Sequence, residues 1–214
     1  MPPCPAEDTC WLYLIRHGAT ANNVAVPPRL QGRRSDPPLS TEGCEQARRT
    51  AEALASAGLA RVISSPLQRA RQTAEAVAAP HGIEVEIDDA LIEIDVGAWE
   101  GWTWEDVART HPEAYAAFHT DAAVHPYLEG ENMQTVFARC APSLEQWMQQ
   151  NLGRVIAVVA HNVVNRCYLA SRMGIALSRY RSIPQDNCGI SLVRYRGGAA
   201  KVVTINSVEH LRQC

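Results

Sequence analysis

Residues 10–15 (CWLYLI) and 155–160 (VIAVVA) are unbroken apolar runs of six. Runs of that length read as strands buried on both faces of a parallel sheet. Elsewhere the apolar positions recur at helical spacing: Cys44, Ala47, Ala51 and Leu54; then Leu67, Ala70, Ala74 and Val77. Gly58 suits the end of the first of these helices, and Pro80 with Gly82 stops the second. Met133, Phe137, Cys140, Leu144 and Trp147 predict a long helix in which Pro142 introduces a kink, and residues 162–172 predict another. Short strands are expected at 61–64 and 85–87, and a closing hairpin at 190–195 and 202–205 around Gly197-Gly198. A proline-rich loop fills 27–39. Residues 99–132 read as irregular, except that Thr103 and Asp106 have the spacing of a helix-starting capping box. Strand and helix alternate, so the pattern predicts one α/β domain over 1–214, with 99–132 as a lid or substrate-specificity insertion.

Composition narrows the function classes. The chain has 214 residues, 46% hydrophobic and 20% charged, an ordinary globular balance. No apolar run approaches the roughly 20 residues a membrane-spanning helix needs, and residues 1–10 show no basic start or apolar core of a secretion signal. A net charge of -3 argues against nucleic acid as the main partner. The seven cysteines are odd in number and form no C-x-x-C pair, which fits reduced thiols in a cytoplasm and neither a disulfide framework nor a zinc site. Lys201 is the single lysine among 20 basic residues, so each arginine has to be judged by its place.

Phosphate-loop, dinucleotide-binding, zinc-protease and serine-hydrolase motifs are absent from the sequence. Cys10 to Arg16 and Cys188 to Arg194 match the C-x5-R spacing of a cysteine phosphatase loop. Their intervening residues, WLYLI and GISLV, are strand-formers that cannot curl into a nest of amides. The informative residues lie where strands end. Arg16-His17-Gly18 follows the first buried strand, His161 the strand at 155–160, Arg69 the strand at 61–64, and Glu93 the strand at 85–87, just ahead of Gly97. Ligands gather beyond the carboxyl ends of parallel strands, so the pattern delivers these four to one rim.

The combination of Arg16-His17-Gly18, Leu67-x-Arg69-Ala70, Leu91-x-Glu93 before Gly97, and His161 resembles the histidine phosphatase superfamily, in its phosphoglycerate-mutase-like branch. The resemblance runs from Leu12 to about Ile205. It implies a three-layer α/β/α sandwich with a mostly parallel central sheet, a phosphohistidine intermediate and no metal or other cofactor. By the same resemblance His17 is the nucleophile and Glu93 the general acid and base. Arg16, Arg69, His161 and Asn23 hold the phosphate, while Gln31, Gly32 and Asn162 are weaker substrate contacts. The chemistry accounts for these residue types. A phosphomonoester is a dianion whose charge spreads over three oxygens during transfer, and two guanidiniums with a second imidazole can hold it. An alkoxide leaves poorly without a proton, which Glu93 would supply if its pKa were raised above the ordinary 4.3 or so.

Some positions depart from the family's habit: Ala19, Asn22, Ala160 and Asn162 stand where other residues are common. Residues 103–132 hold one arginine, Arg109, against Glu105, Asp106, Glu113, Asp121, Glu129 and Glu131, and a segment of that sign is expected to repel a second anionic group on the substrate. The expected activity is therefore hydrolysis of a small phosphorylated metabolite, by a cytoplasmic enzyme that could form a homodimer. A cofactor-dependent phosphoglycerate-type mutase and a non-catalytic ligand- or protein-binding member of the fold are the alternatives. Trp99, Trp102 and Trp104 are expected to pack beneath a lid. His81, His111, His119, His125 and His210 read as surface residues.

Overall fold

The computed structural model describes residues 5–212. Cys4, Cys214 and the start of the segment read for a leader lie outside them. Six strands form one sheet: β1 (Thr9–Arg16), β2 (Leu59–Ser64), β3 (Val85–Ile87), β4 (Val155–Ala160), β5 (Ile190–Arg196) and β6 (Ala199–Ser207). Their order is β3-β2-β4-β1-β5-β6. The first four in that order run parallel, and β5 and β6 are antiparallel additions on one side. The sheet is thus mostly parallel, as the alternating pattern predicts.

Every residue of β4, and all of β1 but Arg16, is buried. Alternate side chains enter two separate cores. Cys10, Leu12, Leu14, Ile156, Val158 and Ala160 face one, and Trp11, Tyr13, Ile15, Val155, Ala157 and Val159 face the other. Helices α2 (Thr41–Leu54) and α3 (Gln68–Ala78) cover the second face, while α6 (Met133–Gln149) and α7 (Asn162–Arg172) cover the first. That makes three layers. An apolar run with no visible period is what a strand covered on both faces should show.

The helix starts follow local chemistry. The Ser40 hydroxyl accepts from the Gly43 N–H at the head of α2, and Asn132 accepts from the Thr135 N–H at the head of α6. α6 continues through Pro142 to Gln149. Gly197 and Gly198 both have positive φ, as a tight hairpin turn between β5 and β6 requires.

The main departure is at 99–132, where two helices stand in a stretch read as irregular: α4 (Trp104–Thr110) and α5 (Pro112–Thr120). The Thr103–Asp106 capping box is formed and opens α4. Each helix is too short for helical periodicity to show. Their stability comes from packing on Trp99, which is fully buried against Trp104, Phe118 and Tyr127. A four-residue helix, α1 (Ala21–Val24), was also not apparent in the pattern. Three of the histidines read as surface residues, His81, His111 and His210, are half-buried instead. His111 accepts from the Trp99 indole N–H at 3.2 Å, and His210 lies 3.0 Å from the Thr50 hydroxyl.

Candidate active site

The sheet register builds the site. Arg16 lies opposite Ala160, and the His17 N–H donates to the Ala160 carbonyl at 3.0 Å, so β1 and β4 end level. The residues that follow, His17 and His161, therefore meet with ring centroids 5.1 Å apart. β2 ends beside them, where the Ser65 N–H donates to the Val159 carbonyl. The chain leaves β1 through a close backbone crossing. A Cβ on Gly18 would lie 2.5 Å from the Gly43 carbonyl oxygen, and one on Gly43 would lie 2.0 Å from that of Ala19. Glycine at both positions lets the turn after His17 lie directly on the start of α2.

His17 is buried, with Nδ1 2.7 Å from the Gly18 carbonyl oxygen. A carbonyl only accepts, so Nδ1 carries the proton and Nε2 the lone pair. Burial first, then the guanidiniums of Arg69 and Arg16, holds this imidazole well below the usual histidine range. His161 is fully buried and likewise held low by burial, Arg69 and His17. Its Nε2 lies 2.6 Å from the Ser65 hydroxyl, while Nδ1 is buried with no partner.

The two arginines are anchored by carbonyls and retain donor capacity. Arg16 donates from Nη1 to the Gln185 carbonyl at 2.6 Å, and its Nε is buried without a partner. Arg69, in the first turn of α3, donates to the carbonyls of Gly32 and Ser35 at 2.9 and 3.2 Å, again leaving Nε unpaired. Glu93 is buried, and its two oxygens accept from the N–H groups of Ile94 (2.9 Å) and Val163 (3.2 Å). Burial raises its carboxyl above the ordinary range, opposed by those amides and by Arg69 and Arg139.

Arg16, His17, Asn23, Gln31, Glu93 and Asn162 line a common cavity of about 200 Å³. Arg69 and His161 are fully buried outside that lining. Asn23 uses its carbonyl oxygen to hold the Thr20 N–H and the Asn187 amide. Gln31 Nε2 and Asn162 Oδ1 are buried without partners. Gly32 stands outside the lining: its carbonyl holds Arg69 and its N–H donates to Glu100.

Sequence reasoning missed Ser65, Gln185 and Tyr127. Ser65 follows a parallel strand and could have been found by the rule that found His17. Gln185 and Tyr127 arrive from loops with no local pattern. Tyr127 is the one residue of 99–132 in the cavity wall. The acidic residues of that segment look elsewhere: Asp106 caps α4, Asp121 accepts from the Ala123 N–H, and Glu131 holds the Asp95 N–H and Arg139. The expected repulsion of a second substrate anion therefore has no structural basis, because none of these carboxylates lines the site. Nor do the three tryptophans line it. Among the described residues, no group of three or more His, Cys, Asp or Glu side chains is arranged to hold a metal.

A family model, histidine phosphatase superfamily (branch 1), matches residues 12–208. The chain is 30% identical over 200 residues to phosphoserine phosphatase 1 of Hydrogenobacter thermophilus, covering 94% of this chain and 93% of that protein. It is 34% identical over 188 residues to the protein named Probable phosphoglycerate mutase GpmB of Proteus mirabilis, covering 86% and 85%. Phosphoserine phosphatase from Entamoeba histolytica, solved in complex with phosphoserine, superposes with a TM-score of 0.85 at 27% identity over 95% of this chain and 100% of that one. The chain belongs to the histidine phosphatase superfamily, and its relatives set it among the phosphoric monoester hydrolases.

Proposed function

We propose that the protein hydrolyses a small phosphorylated metabolite in two steps through phospho-His17. The observation that carries this reading is the state of His17: buried, neutral, its Nδ1 proton fixed on the Gly18 carbonyl, and its lone pair left on Nε2 in a cavity shared with Arg16 and Glu93. In the first step Nε2 attacks phosphorus and the bond to the leaving oxygen breaks. Protonated Glu93 gives its proton to that oxygen, so an alcohol leaves instead of an alkoxide. Arg16, Arg69, His161 and Asn23 hold the nonbridging oxygens as charge spreads over them. In the second step Glu93, now a carboxylate, takes a proton from water, which attacks phosphorus. The N–P bond breaks and inorganic phosphate departs.

Burial supports the assignment of Glu93, because a carboxyl must stay protonated to act first as an acid. The small cavity favours a small leaving group. The relative named as a mutase favours a second reading, in which the phosphoryl group passes to another organic acceptor; the fraction released as free phosphate separates the two. The five described cysteines are free, which supports a reducing, cytoplasmic setting. The test is hydrolysis of an aryl phosphate in EDTA by the native protein and His17→Ala. Activity that survives the chelator and is lost in the variant supports the reading, whereas activity lost to the chelator, or kept in the variant, overturns it.

A further inference from the structure

The loop that carries Glu93 begins at the end of β3, and α6 fastens it along one stripe. Arg139, Ser143 and Trp147 are spaced four apart, so they share a face of that helix. The Ser143 hydroxyl and the Trp147 indole N–H both donate to the Asp88 carboxylate, the indole at 2.7 Å. Arg139 holds the chain further on. Its Nη1 donates to the carbonyls of Ala90 and Ile92 at 2.8 and 2.5 Å, and its Nη2 to that of Glu93 at 3.2 Å. The two donors that remain, on Nε and Nη2, reach the Glu131 carboxylate at 3.4 Å each. All five N–H groups of this guanidinium are therefore spent on the protein. Arg16 and Arg69 also hold carbonyls, but each keeps a buried Nε without a partner. Arg139 has no donor left for a substrate, and it stands outside the lining of the catalytic cavity.

Glu131 closes the grip from the other side. Its carboxylate accepts from the Asp95 N–H at 2.8 Å, and its own N–H donates to the Asp95 carbonyl at 2.9 Å. The backbone is thus held just before and just after the Ile94 N–H, which donates to the Glu93 carboxyl. Pairing with Glu131 also offsets the charge of Arg139, so the guanidinium grips this loop without setting a lone cation beside an acid that has to start protonated.

We propose that Arg139 is a positioning residue for the general acid and base: by holding three successive carbonyls of its loop, it aims the Glu93 carboxyl first at the leaving oxygen and then at the attacking water. The proposal rests on the phosphohistidine reading above. A lysine would supply the charge, but a single ammonium cannot span those carbonyls and a carboxylate as the planar fork does.

The test compares phenyl phosphate with nitrophenyl phosphate in kcat/KM, which reports the steps up to the first phosphoryl transfer. Phenol is a far weaker acid than nitrophenol, so its departure depends on the proton from Glu93. Arg139→Gln should lower kcat/KM about 10- to 100-fold on phenyl phosphate and by less than about threefold on nitrophenyl phosphate, where a burst of nitrophenolate should precede slow turnover. A ratio measured on one preparation does not depend on how much of it is folded, so a merely structural role would slow both substrates alike. Arg139→Lys should recover only part of the ratio. In a Glu93→Gln background, adding Arg139→Gln should cost less than about threefold more on phenyl phosphate, because a residue that acts through Glu93 then has nothing to aim. Equal losses on the two substrates, a native ratio in Arg139→Gln, or full additivity in the double variant overturns the proposal. Should Arg139→Gln not fold, Arg139→Lys is read by the same ratio, and a native value there overturns it. If Glu93→Gln shows the leaving-group dependence and the Arg139 variants do not, this inference fails and the chemistry assigned to Glu93 stands. If Glu93→Gln shows none, both fall.

Discussion

Replacing Glu93 by Gln changes the side chain by little more than a proton, and the geometry says what should follow. The oxygen of the new carboxamide can still accept from the Ile94 N–H, as Glu93 does at 2.9 Å. Its NH₂ group would face the Val163 N–H, where a carboxylate oxygen now accepts at 3.2 Å, setting donor against donor. That mismatch should cost about 1–3 kcal/mol of stability. The kinetic loss should be larger and should depend on the leaving group. An alkyl phosphate needs a proton on its leaving oxygen, so kcat should fall about 10²- to 10⁴-fold, or roughly 3–5 kcal/mol. A nitrophenyl phosphate departs as a stable anion, so its phosphoryl transfer to His17 should survive. Hydrolysis of the phosphoenzyme then stalls, because the base that activates water is gone. Stopped-flow absorbance should show a burst of nitrophenolate equal to the enzyme concentration, followed by slow turnover. Native kcat on the alkyl substrate should also fall as pH rises through the raised pKa of Glu93, a limb the variant lacks. Equal losses on both substrates with no burst would refute the role given to Glu93.

Other consequences follow from packing and charge. Trp99→Ala removes a fully buried side chain from the contact of α4 and α5 with the core; it should cost about 3–5 kcal/mol and lower Tm by about 6–20 °C in a calorimeter scan. Gly43→Ala would set a Cβ 2.0 Å from the Ala19 carbonyl oxygen, so it should displace the turn after His17 and cut kcat at least about 100-fold; near-native kcat would contradict the crossing. His17 and His161 are held neutral in the fold and protonate near pH 6.5 once unfolded, so the unfolded state binds more protons below that pH. Each should remove up to about 1.4 kcal/mol of stability per pH unit as pH falls below 6.5. Urea titrations at pH 7.5 and 5.5 should show this loss, and His161→Asn should lessen it.

The parts legible in the sequence are those set by local repetition or by position along a strand. The runs at 10–15 and 155–160 had to be central strands, because nothing else buries six consecutive apolar side chains in that composition. Once they were strands, His17, Arg69, Glu93 and His161 were confined to one end of the sheet. What stayed hidden depends on distant segments. Gln185 meets Arg16 across 169 positions, and Tyr127 reaches the cavity only because α4 and α5 fold over Trp99. The direction of the acidic side chains in 103–132 was likewise unreadable, since composition gives the sign of a charge and not where it points.

The claim that everything else depends on is a covalent phosphoryl group on His17. Native protein mixed with excess nitrophenyl phosphate in EDTA and quenched in alkali within milliseconds should carry an acid-labile, alkali-stable phosphate on the peptide holding His17. His17→Ala should carry none, and Glu93→Gln should accumulate it. Turnover by the native protein with no phosphate trapped in Glu93→Gln, or a label that persists in His17→Ala, would contradict the account.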